Sequence, residues 1–199
     1  AGMVALAASC SMSPVATGGT DFPNTRTVAG ILVTDAGAPV DSGQVLLVRD
    51  ISGPHDPVPR FLFDTTWSSS AGTFVFEGVS PGTYAVEALS RDGSRIAYVG
   101  SVTAGEERTT LDTLSLEKTG SLRGTVIVRP GLTVILAIAS THYMVIPDSL
   151  GRFEFPVLPQ GNWDLTIIVL DSAGGIREHD TTLVGQSVRD STVLPGGID

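Results

Sequence analysis

Gly72-Thr-Phe74-Val-Phe76 is the stretch of sequence that decides the fold, because it returns 79 positions later as Gly151-Arg-Phe153-Glu-Phe155. Two phenylalanines spaced two apart point to the same face of a β-strand. Each copy therefore predicts a strand whose aromatic side faces a core. A pattern that returns at a fixed offset also predicts an internal repeat, with two copies of one β-structure in the chain.

The same corner follows each Phe-x-Phe strand. Gly82 and Gly161 stand ten residues after the leading glycines, and two positions further comes an aromatic residue, Tyr84 in the first copy and Trp163 in the second. Glycine permits a tight turn with positive φ at such a corner. We expect each aromatic ring to pack on the core while its O–H or indole N–H bonds the backbone near the corner.

The opening strands repeat as well, since Val28-Ala-Gly30-Ile-Leu corresponds to Leu122-Arg-Gly124-Thr-Val, 94 positions later. The difference between the two offsets means that the second copy has lost 15 residues of loop. Short β-rich runs separated by Gly, Pro and Asp turn signals fill the chain from Thr27 onward, without a helical apolar period. The pattern predicts an all-β chain of two tandem antiparallel β-sandwiches, residues 27–118 and 119–199, joined at Lys118-Thr-Gly120.

These motifs resemble the carboxypeptidase regulatory-like family, also called transthyretin-like or Cna-B-type sandwiches. The resemblance rests on Gly30, Asp35-Ala-Gly-Ala-Pro39-Val, Gly72-x-Phe-x-Phe and Pro81-Gly-x-Tyr84. The second copy matches less fully, because Gln160 stands where proline is expected. The resemblance implies immunoglobulin-like sandwiches that serve as spacers, adhesion modules or accessory domains. Carbohydrate binding is implied as an option of the fold, not as an activity.

The N-terminal segment, residues 1–9, is apolar and rich in small side chains, and it ends at the one cysteine, Cys10. Leu6-Ala-Ala-Ser9-Cys10 resembles the lipobox at the end of a bacterial lipoprotein signal peptide, here expected to be truncated. This implies an acylated Cys10, and Ser11 in place of Asp implies the outer membrane. The alternative is an incidental cysteine near a frayed terminus. Residues 10–26 are rich in Ser, Thr, Gly and Pro and predict a flexible tether about 22 Å long.

Composition excludes several classes of protein. The net charge is −9 and there is a single lysine, so the chain lacks the cluster of basic residues that a nucleic-acid-binding protein needs. A single cysteine cannot form a disulfide bond within the chain, and the 42% of apolar residues argues against a fully disordered chain.

No catalytic or phosphate-binding motif is present. In Glu178-His179-Asp180, adjacent strand residues point to opposite faces and cannot bind one metal ion. We therefore predict no catalytic residue, metal or cofactor.

Trp67 is the best candidate for a ligand platform. Phe61, Phe63 and Trp67 are separated by even numbers and share one face of a strand. This pattern favours a strand whose aromatic side faces the core. The alternative is an exposed aromatic platform for a sugar.

The strands of the second copy are apolar on both faces. Ile135, Ile168 and Leu170 lie opposite the expected core side and would form a patch that needs a cover. The cover is either another part of this chain or a docked protein, including a second copy. In the first copy, Glu87 occupies the position that corresponds to Thr166, so we expect an ordinary solvated outer face there.

We therefore expect a non-catalytic, surface-anchored lipoprotein that acts as a binding or scaffold module, of the adhesion type, in the bacterial cell envelope. Its partners would be the membrane, through the lipid, and either a protein or a polysaccharide. The alternative function is a carbohydrate-binding module of a polysaccharide-degrading or cell-envelope system. An enzyme is the least favoured class, because the sequence offers no nucleophile–base pair or metal cluster.

Overall fold

The computed structural model describes residues 26–52, 58–139, 141–188 and 192–198. Cys10, the segment 1–9 and nearly all of the tether lie outside these residues. The described chain is all-β, without a helix, as the sequence predicted. Its strands are β1 (Val28–Thr34), β2 (Gln44–Asp50), β3 (Phe61–Trp67), β4 (Thr73–Phe76), β5 (Gly82–Leu89), β6 (Arg95–Ala104), β7 (Thr109–Thr110), β8 (Leu114–Val126), β9 (Thr133–Ile138), β10 (Met144–Val145), β11 (Arg152–Pro159), β12 (Gly161–Leu170), β13 (Ile176–Val188) and β14 (Thr192–Ile198).

In the first sandwich, strands in the order β3-β2-β5-β6 form one sheet. Strands β4, β1, β7 and the start of β8 form the opposing layer, and the pairing of β6 with β8 joins the two layers along one edge. The buried core between them includes Val28, Leu32, Val45, Leu47, Phe74, Phe76, Val86 and Leu116. These positions alternate along their strands, which places the apolar side of each sheet inward.

The second sandwich repeats this plan. Strands in the order β10-β9-β12-β13 form one sheet, and β11, the end of β8 and β14 form the other. Its core includes Leu122, Leu136, Ile138, Phe153, Phe155, Leu158 and Leu165. Each strand of the second sandwich has a counterpart in the first, and the predicted tandem repeat is confirmed.

Strand register shows how closely the two copies agree. Gly30 pairs with Phe74 in the first copy, and Gly124 pairs with Phe153 in the second. At Gly30 a Cβ atom would lie 2.6 Å from the Phe74 ring, so this position has room only for glycine unless the ring moves. The same pairing of a glycine with the first phenylalanine of the motif therefore occurs in both copies, although the sequence offsets differ.

The two corners also agree. The hydroxyl of Tyr84 donates a hydrogen bond to the carbonyl of Ser80 at 2.7 Å, and the indole N–H of Trp163 donates one to the carbonyl of Pro159 at 2.9 Å. Each bond spans four residues and ties the new strand back to its turn. The predicted role of the two aromatic residues is thus confirmed, although Trp163 is half-buried whereas Tyr84 is buried.

Strand β8 belongs to both sandwiches. Its start pairs in parallel with β1, and its end pairs in parallel with β14. The predicted joint at 118–120 therefore lies inside a continuous strand. Most other pairs are antiparallel, but the first and last strands of each sandwich run side by side in one direction, which the sequence did not indicate. A shared strand, with its backbone bonds made on both sides, gives a stiffer connection than a loop.

Candidate functional site

The second sandwich packs on the outer face of the β3-β2-β5-β6 sheet. The hydroxyl of Tyr143 donates a hydrogen bond to the carboxylate of Glu87, and Nε2 of His142 lies 3.6 Å from the same carboxylate. Glu87 is only 3% exposed. The expectation of a solvated outer face at Glu87 is therefore wrong, because the loop that carries His142 and Tyr143 covers it.

Burial changes the proton affinities in this cluster. Desolvation raises the pKa of Glu87, and the hydrogen bond from Tyr143 opposes that shift. Desolvation lowers the pKa of His142, whose Nδ1 is buried without a hydrogen-bond partner. The pKa of Tyr143 is raised by burial first and by the charge of Glu87 second. The neutral forms of Glu87 and His142 are thus favoured more than at the surface.

Aromatic contacts complete the interface. The rings of Tyr98 and Trp163 meet edge to face with centroids 5.5 Å apart. The ring of His142 meets Phe63 in the same way at 5.3 Å and Phe61 at 6.3 Å. Side chains from three strands of the first sandwich therefore contact the second, which fixes the relative orientation of the two.

A cleft of about 480 Å³ opens beside these contacts. It is bounded by the ends of β2, β3 and β5, by Gly100 and Ser101 of β6, and by Thr141, His142 and Trp163 of the second sandwich. The guanidinium carbon of Arg49, at the cleft wall, lies 5.7 Å from the centroid of the Tyr84 ring. Open clefts between two packed units are common places for small-ligand sites.

Trp67 lies apart from this cleft, on edge strand β3. Trp67 is 59% exposed and Phe63 is 54% exposed, so the preferred prediction of a core-facing aromatic side is wrong. The physical reason is the orientation of the strand: in its partner β2, the buried core residues Val45 and Leu47 alternate with the positions that pair with Phe63 and Trp67. Spacing showed that the rings share a face but not which face is covered. A ligand at Trp67 stays a prediction.

The predicted patch on the second sandwich is not a free surface. Ile168 is 1% exposed, Ile135 is buried and Leu170 is half-buried within the single chain. Ile135 and Ile168 are therefore covered within the chain. The prediction that they form a surface for a partner protein is wrong. Alternation along a strand identifies a second apolar face but does not show what covers it.

The described residues hold no group of three or more His, Cys, Asp or Glu side chains placed to bind a metal ion. No helix in the described ranges is long and apolar enough to cross a membrane. The side chains of Glu178, His179 and Asp180 lie outside the description, although their backbone pairs with β12.

Sequence reasoning missed both the Glu87 cluster and the cleft. One signal was available: Glu87 interrupts the apolar run of β5 between Val86 and Ala88. A carboxylate in an apolar strand with partners on both sides needs a hydrogen-bond donor. Nothing local identified Tyr143, 56 residues away, as that donor.

Comparison with known proteins gives weak similarities only. No family model matches the chain, and no curated protein matches it. Among solved structures, a streptococcal ancillary pilin is 17% identical with a TM-score of 0.34, over 89% of this chain and 63% of that one. A DUF3823 family protein from Bacteroides uniformis is 12% identical with a TM-score of 0.34, over 74% of this chain and 90% of that one. The minor pilin GBS52 of Streptococcus agalactiae is 10% identical with a TM-score of 0.32, over 86% of this chain and 94% of that one.

This chain spans less than two thirds of the streptococcal ancillary pilin that it matches. At these identities and TM-scores, the similarities carry no argument about this chain. No activity, partner or ligand of those proteins transfers to this chain.

Proposed function

We propose that this chain is a non-catalytic binding module of the bacterial cell envelope, anchored by a lipid on Cys10 and extended by the tether of residues 10–26. The observation that carries the proposal is the joining of the two sandwiches into one unit. They share β8, and Tyr143 bonds the buried Glu87 across their contact. A stiff pair of sandwiches behind the predicted tether suits the display of a binding surface away from a membrane.

We also propose membership of the carboxypeptidase regulatory-like family. The support is local: Gly30 pairs with Phe74 behind the Phe-x-Phe motif, and Tyr84 bonds back to its turn. These are the positions on which the resemblance rests. The second sandwich keeps both features with Gly124, Phe153 and Trp163.

The anchor can be tested by acylation. Each buried CH₂ of an acyl chain contributes about 0.8 kcal/mol to membrane binding, and stable anchoring needs two chains or a second signal. The whole chain, expressed behind a complete lipoprotein signal peptide in a host with two membranes, should incorporate labelled palmitate and sediment with the outer membrane. The Cys10→Ser variant should be soluble and unlabelled, and Ser13→Ala should behave as wild type. Soluble, unlabelled wild-type protein would refute the anchor.

A carbohydrate-binding module is the second candidate, and it is supported by the exposed rings of Phe63 and Trp67 on one side of β3. Exposed aromatic faces stack on the C–H faces of sugars. A glycan array should then show binding that is lost in Trp67→Ala. The matched control is Leu62→Ala, an exposed apolar residue on the opposite side of the same strand. Equal binding by both variants would exclude a platform at Trp67.

A further inference from the structure

The cleft exists because the second sandwich covers only part of the β3-β2-β5-β6 face. Contacts of His142 and Tyr143 lie near Phe63 and Glu87, and the space beyond them remains open. Its volume of about 480 Å³ lies within the range of roughly 300–1,000 Å³ found for small-ligand sites. Both sandwiches contribute walls, so the cleft is complete only in the full chain.

The floor of the cleft carries a β-bulge. In the pairing of β5 with β6, Tyr84 lies opposite Val102 and Val86 lies opposite Val99, so β6 has one extra residue at this point. Within that bulge, Ser101 has φ of 58°, a left-handed conformation that is uncommon outside glycine. Gly100 and Ser101 both line the cleft. Bulges and strained residues are concentrated next to binding sites, where they redirect side chains.

The lining combines apolar rings with hydrogen-bonding groups. Phe61, Tyr98 and Trp163 supply ring faces and edges, which suit the C–H groups of a sugar. Arg49 supplies N–H donors, and Asp50 supplies a carboxylate whose Oδ1 already accepts hydrogen bonds from the backbone N–H and the hydroxyl of Ser52. Donors and an acceptor together suit sugar hydroxyl groups, which both accept and donate hydrogen bonds. One positive and one negative side chain leave the cleft without a dominant charge. The net charge of −9 on the chain disfavours an acidic polymer.

From this geometry we infer that the cleft between the two sandwiches binds a short neutral oligosaccharide. The inference rests on the proposed function as a binding module and assigns its ligand class and its position. The site differs from the platform at Trp67, which lies at the opposite end of β3 from Phe61.

Two glycines offer a matched test. A Cβ atom at Gly100 would make ordinary contacts of 3.6 and 3.9 Å with the Tyr98 ring and hydroxyl, so Gly100→Leu extends a side chain into the cleft at little cost to the backbone. Gly105, just beyond the end of β6, has nothing within 4 Å of such an atom. Gly105→Leu therefore adds the same side chain outside the cleft. Phe61→Ala is a second cleft variant, on an edge strand.

The experiment is calorimetric titration of the whole chain with short neutral oligosaccharides of glucose, mannose, xylose or N-acetylglucosamine, and with oligogalacturonate as the acidic comparison. We expect at least one neutral oligosaccharide to bind. Binding should be lost in Gly100→Leu, weakened in Phe61→Ala, and unchanged in Gly105→Leu and Trp67→Ala. Circular dichroism melts should show that each variant is folded.

Three results would overturn the inference. They are the absence of binding by every neutral oligosaccharide, binding of oligogalacturonate alone, and binding that survives Gly100→Leu but is lost in Trp67→Ala. The last result would place the ligand on β3. None of them affects the acylation of Cys10, so the failure of the cleft and the failure of the anchored module are distinguishable.

Discussion

Tyr143 donates its hydroxyl hydrogen to the carboxylate of Glu87 across the contact between the two sandwiches. The carboxylate lies in the middle of β5, out of reach of solvent. A hydrogen bond to a buried charged group contributes about 1.5–3 kcal/mol, and its loss leaves the charge without compensation. This contact therefore couples the folding of one sandwich to the position of the other.

Removal of that donor should destabilise the protein. We expect Tyr143→Phe to lower the free energy of unfolding by about 1–3 kcal/mol, because the Glu87 carboxylate stays buried without its partner. Urea unfolding measures the change. A double-mutant cycle with Glu87→Gln should give a coupling energy clearly above the additivity error of about 0.5 kcal/mol. Strictly additive effects would mean that the bond does not contribute in solution.

Glu87 also predicts a pH dependence. Burial raises its pKa above the ordinary value of 4.5, so the folded state holds this proton more tightly than the unfolded chain does. The associated stability is fully present below pH 4.5 and is lost as the pH rises through the raised folded pKa. The stability of Glu87→Gln relative to wild type should therefore increase with pH across that window. Chemical unfolding at several pH values measures this stability difference, with the exposed Glu154→Gln as the control. A difference between Glu87→Gln and wild type that does not change with pH would contradict the prediction.

The corner at Trp163 can be tested against its counterpart. Trp163→Phe loses the bond to the Pro159 carbonyl, whereas Trp163→Tyr offers a hydroxyl like that of Tyr84 at the equivalent corner. We expect the tyrosine variant to be more stable than the phenylalanine variant by about 0.5–1.5 kcal/mol. Thermal and urea unfolding of both variants give the comparison. Equal stabilities would show that the side-chain hydrogen bond to the turn contributes nothing measurable to the free energy of unfolding.

Gly151 should tolerate no side chain. Its φ is 77°, and a Cβ atom there would lie 1.9 Å from the carbonyl oxygen of Val126. Gly131 has a similar φ of 75° but nothing within 4 Å of such an atom. Gly131→Ala should therefore cost only the left-handed penalty of about 1–2 kcal/mol, and Gly151→Ala should cost clearly more. Unfolding curves for the two variants test this, and equal losses would show that the backbone at Gly151 relaxes freely.

The sequence by itself determined the strands and the repeat, but not how the strands pair. Period-two alternation determined which residues of each strand share a face, and the fixed offsets matched Gly30 with Gly124 and Phe74 with Phe153. The pairing of each glycine with its phenylalanine came from the structure. The corner of Tyr84 also followed from local sequence, because the turn, the ring and the bonded carbonyl lie within five residues. All of these are short-range or repeated relations, which a single chain carries in its residue pattern.

Only the tertiary structure decided what covers each outer face. Glu87 is buried and Trp67 is exposed, each against the simplest interpretation of its strand. Ile168 is buried within the chain, which was one of the two alternatives that the sequence left open. A strand pattern distinguishes two faces, but the burial of the second face depends on how whole sandwiches pack. That packing joins residues far apart in sequence, such as Tyr98 and Trp163, whose contact no local pattern encodes. The cleft is a consequence of that packing, and for the same reason no local sequence pattern indicated it.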